Sequence, residues 1–228
     1  MWVKICANTN IDDALTAANA GADAVGFVFA PSKRRVSIEQ VREITARLPS
    51  TVETVGVFAT GDPFEIKHHV RSSGLSAAQL HRPFDVGVVQ TLSREFGSEL
   101  KIIQTVPYAV DAGDQTASDA EFVATLLAVS AEPAVWAILI DAQKSGQTGG
   151  LGLAFDWAHV GSLVRTATAI KAIRPLRVIL AGGLRPDTVG RAVTEFQPWG
   201  VDVASGVEAS AGKKNPALVE AFVSAVRP

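Results

Sequence analysis

Ala181-Gly182-Gly183-Leu184 and Ser205-Gly206-Val207 each follow a short β-rich run, Arg177–Leu180 and Val201–Ala204. Those runs close a series that begins with Trp2–Cys6, Ala24–Phe29, Val52–Phe58, Ala77–His81, Lys101–Val106 and Val135–Ile140. The intervening segments read mostly as helices. Eight strand-and-helix units predict a closed (β/α)₈ barrel, a fold of about 250 residues. The competing doubly wound open sheet places its glycine-rich phosphate loop after the first strand. Here the first strand runs into Cys6-Ala7-Asn8-Thr9-Asn10, which contains no glycine. The two glycine turns instead follow strands seven and eight, where barrels commonly build a phosphate site. The expectation is an α/β protein with one TIM-barrel domain spanning residues 1–228.

Helix boundaries carry their own signals. Ser37 with Gln40 makes a capping box ahead of Val41, Ile44 and Leu48 at helical spacing. Asp62-Pro63 and Asn215-Pro216 each pair an N-cap with an N1 proline, and Gly21 stops a first helix over Ile11–Ala20. Pro186 and Asp187 are read as opening the seventh helix. Tyr108–Ser118 and Gln143–Leu153 are read as long loops on the face that carries barrel active sites.

The composition narrows the function classes. Of 228 residues, 47% are hydrophobic and 19% charged, enough apolar material for a packed core. With 21 basic and 23 acidic side chains, no basic stripe points to nucleic acid or a membrane surface. The opening Met-Trp-Val-Lys-Ile-Cys lacks a signal-peptide layout, and apolar runs such as Val135–Ile140 are too short to span a bilayer. A single cysteine and four scattered histidines argue against a disulfide or a structural metal site. A cytoplasmic enzyme or binding domain is expected.

Strand parity selects the candidate residues, because alternate side chains point into a barrel and those at the C-terminal ends meet the ligand. Lys4 and Cys6 share the inward parity of strand one, leaving Val3 and Ile5 to face the helices. Cys6 is either a small buried hydrophobe or a reactive rim group. Asp141, in parity with Ala137 and Leu139, either caps its loop or works at the rim. His81 shares parity with Gln79 on strand four, whereas His68, His69 and His159 fall on helices. Gly182 and Gly183 remove side chains where backbone amides must approach an anion, and Ser205-Gly206 supplies further amides and a hydroxyl. Within Lys33-Arg34-Arg35, a guanidinium at the rim suits a planar carboxylate; the alternative is a solvated loop.

These motifs occur together with Gly21-Ala22-Asp23-Ala24-Val25-Gly26-Phe27-Val28-Phe29, Val55-Gly56-Val57-Phe58, Gln79-Leu80-His81, Gly149-Gly150-Leu151-Gly152, Phe155-Asp156-Trp157, Val201-Asp202-Val203-Ala204-Ser205-Gly206-Val207-Glu208 and Gly212-Lys213-Lys214. In that order, from one end of the chain to the other, they resemble the phosphoribosylanthranilate isomerases. The resemblance implies an Amadori rearrangement of N-(5-phosphoribosyl)anthranilate in tryptophan biosynthesis, without metal or cofactor and with a phosphosugar as the small-molecule partner. It implies Cys6 as general base, Asp141 as general acid, and Arg34 as holder of the anthranilate carboxylate. It also implies Gly183, Ser205 and Gly206 in the phosphate loops, and an inward Asp202 within reach of Lys4. Ordinary thiol and carboxyl pKa values leave both catalytic groups in the wrong state near neutrality. A desolvated pocket would raise Asp141 and cations such as Lys4 or Arg34 would lower Cys6; the sequence alone does not fix either shift.

Four positions depart from the family pattern: Ala7 and Arg82 replace glycines, and Leu153-Ala154 replaces Lys-Thr. Two other functions stay open. One is a histidine-pathway or dual-substrate phosphoribosyl isomerase, which needs aspartates after strands one and five where this chain has Cys6 and Val106-Pro107-Tyr108. The other is a non-catalytic phosphosugar-binding barrel. Either a monomer or a homodimer fits the sequence.

Overall fold

The computed structural model describes residues 1–110, 113–143, 156–170 and 176–227. Eight strands pair in parallel and in chain order: β1 (Trp2–Ile5), β2 (Ala24–Val28), β3 (Glu53–Phe58), β4 (Ala77–Leu80), β5 (Lys101–Ala109), β6 (Val135–Gln143), β7 (Val178–Ala181) and β8 (Gly200–Val203). β8 closes on β1 with Lys4 opposite Asp202, so the sheet has no open edge. The helices are α1 (Ile11–Asn19), α2 (Ile38–Thr45), α3 (Pro63–Ser73), α4 (Val86–Phe96), α5 (Gln115–Ser130), α6 (Trp157–Ile170), α7 (Val189–Phe196) and α8 (Pro216–Val226). No helix among the described residues is long and apolar enough to cross a membrane.

The helix starts follow the local chemistry. Both arms of the Ser37–Gln40 capping box form, at 3.2 and 2.8 Å. Asp62 accepts from the Phe64 N–H at 2.8 Å, and Asn215 from the Leu218 N–H at 3.3 Å. Gly21, at φ +94°, lets the chain turn out of α1 toward β2.

Strand parity sorts the apolar residues into two cores. Val3, Ile5, Val25, Phe27, Ile138, Ile140, Leu180 and Val201 pack outward against the helices. Inside the barrel lie Trp2, Ala24, Val55, Ala77, Ile103, Ala137, Leu139, Ile179 and Ala181. Full burial of one aliphatic side chain stabilises by roughly 1.5–3 kcal/mol, so this alternation fixes the register. At the N-terminal end of the strands, Trp2 stacks on Trp199 at 5.5 Å and meets Trp136 edge-on at 6.1 Å, with the Arg177 guanidinium 4.9 Å from the Trp136 ring. That end is plugged; the opposite end is open for a ligand.

Three expectations need correction. β5 and β6 run past Val106 and Ile140 as a continuing pair, with Pro107 opposite Asp141 and Ala109 opposite Gln143. Asp141 therefore sits within a strand, and α5 already starts at Gln115 inside the expected Tyr108–Ser118 loop. Pro186 and Asp187 do not open α7. The Arg185 carbonyl accepts from both Thr188 and Val189, making a separate turn, and the helix begins at Val189. Finally, an unexpected hairpin, β9 (Glu208–Ser210) with β10 (Lys213–Lys214), follows β8 and turns at Gly212, φ +81°. Most of the Gln143–Leu153 stretch, the Gly149–Gly152 motif, Ala154 and Phe155 lie outside the described residues.

Candidate active site

A cavity of ≈ 300 Å³ opens at the C-terminal ends of the strands, and Cys6, Arg34, His81, Asp141, Gly182, Gly183, Asp202, Ser205 and Gly206 all line it. These nine residues come from six different strands and the segments that follow them, and the closed barrel brings them to one mouth.

Cys6 follows β1, its N–H donating to the Val203 carbonyl at 2.7 Å. Gly26 on β2 makes room, since a Cβ there would stand 2.7 Å from Cys6 Sγ and 2.9 Å from Lys4 Cε. Lys4 is completely buried and donates from Nζ to Asp202 Oδ1 at 2.9 Å. Burial works to discharge Lys4, but the charges of Asp202 and Cys6 outweigh it, so its pKa lies above the ordinary lysine value. Burial likewise dominates at Cys6 and pushes the thiol up; Lys4 and Lys214 pull it down, Asp202 opposes them, and the net shift is upward. The direction that the sequence left open is therefore upward: desolvation exceeds the cations.

The chain beyond Cys6 bends sharply. Ala7 has φ +63°, a left-handed conformation usually left to glycine. Asn8, fully buried, fastens the bend by donating to the carbonyls of Ile5 at 2.8 Å and Gly26 at 3.3 Å.

Across the mouth, Asp141 on β6 stands three strands from β1 by way of β7 and β8. Its Oδ2 lies 4.0 Å from His81 Nε2, the residue just after β4. Arg34 projects from the β2–α2 connection and meets Glu208 of β9 through two N–H groups, Nε at 2.8 Å and Nη2 at 2.7 Å. Gly182 and Gly183 have φ of +89° and +69°. Gly206 lies so close beneath the neighbouring loop that a Cβ would overlap the Leu184 carbonyl oxygen. The β7 and β8 loops therefore press together into one side-chain-poor cradle, which suits a phosphate. Among the described residues, no three His, Cys, Asp or Glu side chains gather where a metal ion could be held.

The family model described as N-(5'phosphoribosyl)anthranilate (PRA) isomerase matches residues 3–225. The chain belongs to the PRA isomerase family. Among the family's curated members, the protein from Pseudomonas aeruginosa is 41% identical over 226 residues, 99% of this chain and 94% of that one. That from Desulforudis audaxviator is 39% identical, covering 99% and 97%. The crystal structure of phosphoribosyl anthranilate isomerase from Thermotoga maritima superposes with a TM-score of 0.81 at 32% identity, covering 100% of this chain and 98% of that one. A further PRA isomerase structure, in complex with reduced 1-(o-carboxyphenylamino)-1-deoxyribulose 5-phosphate, gives 0.78 at 31%, covering 100% and 98%.

Two ionisable residues of this PRA isomerase fold were not singled out from sequence. Glu208 and Lys214 lie on the unexpected hairpin, with side chains 4% and 0% exposed. Both fall in motifs that carried the resemblance, but neither obeys a strand or helix period that would assign it a direction. The only cue was Gly212, a turn signal just ahead of Lys213 and Lys214.

Proposed function

We propose that the chain, read as one barrel domain over residues 1–228, converts N-(5'-phosphoribosyl)anthranilate to 1-(2-carboxyphenylamino)-1-deoxyribulose 5-phosphate in tryptophan biosynthesis. The observation that carries this reading is one cavity bounded by a buried thiol, a carboxylate three strands away, a guanidinium and a paired glycine cradle. Each matches a part of the substrate. The cradle of Gly182, Gly183, Ser205 and Gly206 takes the phosphate through backbone amides, and Arg34 takes the anthranilate carboxylate. Asp141 donates a proton to the furanose ring oxygen, the C1–O bond breaks, and a Schiff base forms at C1. Cys6, as thiolate, removes the C2 proton to give an enolamine. C1 then takes up a proton while the C2 hydroxyl gives one up, leaving the ketone. The hydrogens move within one skeleton and solvent, so the step needs no external oxidant or reductant.

Asp202 supports this chemistry by keeping Lys4 charged beside Cys6, and His81 completes the wall next to Asp141. Every one of these groups comes from one chain, so a monomer suffices and a homodimer is equally compatible. We place the enzyme in the cytoplasm, where a phosphorylated intermediate is retained.

The test is consumption of freshly generated phosphoribosylanthranilate, followed by its fluorescence. Turnover by the purified protein is expected, at a kcat/KM far above that for the aminoimidazole substrate of the histidine pathway. Comparable turnover of both would favour the dual-substrate reading. Binding of the reduced product analogue without turnover of either would make this a non-catalytic phosphosugar-binding barrel.

A further inference from the structure

We infer that Glu208 is a positioning residue for Arg34: it holds the side edge of the guanidinium so that the end edge meets the substrate's aromatic carboxylate. This rests on the reading of Arg34 given above. A guanidinium has five N–H donors in one plane. Glu208 Oε1 accepts from Nε at 2.8 Å, and Oε2 accepts from Nε at 3.1 Å and Nη2 at 2.7 Å, which uses the side edge alone. Nη1 and the outer N–H of Nη2 remain for a second planar acceptor, and the Arg34 side chain, 29% exposed, borders the cavity.

A carboxylate behind Arg34 would cancel its charge and repel a second carboxylate unless it were itself balanced. Lys214 supplies that balance, donating to Glu208 Oε1 at 3.3 Å. Burial brings the Lys214 ammonium below the ordinary lysine value, with the Glu208 charge opposing it; with Lys214 protonated, Glu208, Lys214 and Arg34 together leave one positive charge for one incoming anion. Burial works to raise the Glu208 carboxyl, yet the Arg34 hydrogen bonds and the Lys214 charge hold it below the ordinary glutamate value, so it stays ionised. The Gly212 N–H adds a third kind of donor at 3.3 Å.

The hairpin is anchored at both ends. Thr9 Oγ1 donates to the Gly212 carbonyl at 2.6 Å, and the Lys214 N–H donates to Asp13 Oδ2 at 2.9 Å. Lys214 Nζ also donates to the Ala204 carbonyl at 3.1 Å, one residue before the phosphate loop. One buried ammonium therefore sets the spacing between the Arg34 clamp and the phosphate cradle, the two ends of the substrate.

Steady-state kinetics on phosphoribosylanthranilate, with inorganic phosphate as competitive inhibitor, test this. Glu208→Ala is expected to raise KM about tenfold or more with kcat nearly unchanged and the phosphate inhibition constant unmoved, because a charge-assisted bidentate orientation is lost. Glu208→Gln, which keeps volume and one acceptor oxygen, should fall between and serves if Glu208→Ala does not fold by thermal melting. In an Arg34→Ala background, Glu208→Ala should add little further change in KM. An unchanged KM in both Glu208 variants, with Arg34→Ala impaired, overturns the positioning role and leaves the Arg34 reading standing. Full additivity in the double variant also overturns it. An unchanged KM in Arg34→Ala removes the underlying reading, and the positioning role falls with it.

Discussion

At Cys6 two demands conflict. The proposed base must be a thiolate, yet burial raises the thiol and Lys4, its neighbouring ammonium, compensates only in part. The reactive form is thus a minority species at neutral pH in the free enzyme. Because kcat/KM reports the ionisations of the free enzyme, it should rise with pH through the neutral range and level off only above the ordinary thiol value of about 8.5. The sign follows from the direction of the shift: a raised thiol pKa moves the rising limb to higher pH. Lys4→Met, which removes the charge that opposes burial, should move it further still. A kcat/KM that is flat from pH 6 to 9 in otherwise stable protein would mean that Cys6 is not the base.

Among the elements, the loops after β7 and β8 act as one structure because the Leu184 carbonyl rests against Gly206. Gly206→Ala must push the loops apart, so we expect higher KM and a weaker inhibition constant for inorganic phosphate, with the barrel still folded. An unchanged phosphate affinity in that variant would place the phosphate elsewhere. The same elements divide what the sequence makes legible from what it does not. The eight strands were readable because alternate apolar residues serve two cores, and the helix starts because Ser37, Asp62 and Asn215 carry their own capping groups. The nine site residues followed from strand ends, glycine turns and the resemblance. The Glu208–Lys214 hairpin was not readable: its two-residue and three-residue strands are fixed by contacts to Thr9, Asp13 and Arg34, all more than 170 positions away in the chain. Nor was the upward shift of Cys6, since it depends on how completely the barrel closes around the sulfur.

Over the whole molecule, stability and chemistry occupy opposite ends of the barrel. Trp2, Trp136 and Trp199 fill the N-terminal mouth under the cations of Arg177 and Lys101, and the residues of the proposed reaction ring the C-terminal mouth. This is the division that lets a barrel vary its loops without losing its core. The central claim is that the C-terminal mouth performs acid–base chemistry between β1 and β6, with Asp141 delivering the proton that opens the sugar ring. The turnover number of Asp141→Asn on freshly generated phosphoribosylanthranilate tests this most directly, in protein shown by thermal melting to be folded and by titration to bind the reduced product analogue. The substitution is nearly isosteric and removes only the proton donor, a contribution commonly worth about 10²–10⁴ in rate, so kcat should fall at least a hundredfold with analogue affinity almost unchanged. Retention of more than about a tenth of the wild-type kcat, well above that lower bound, would contradict the account.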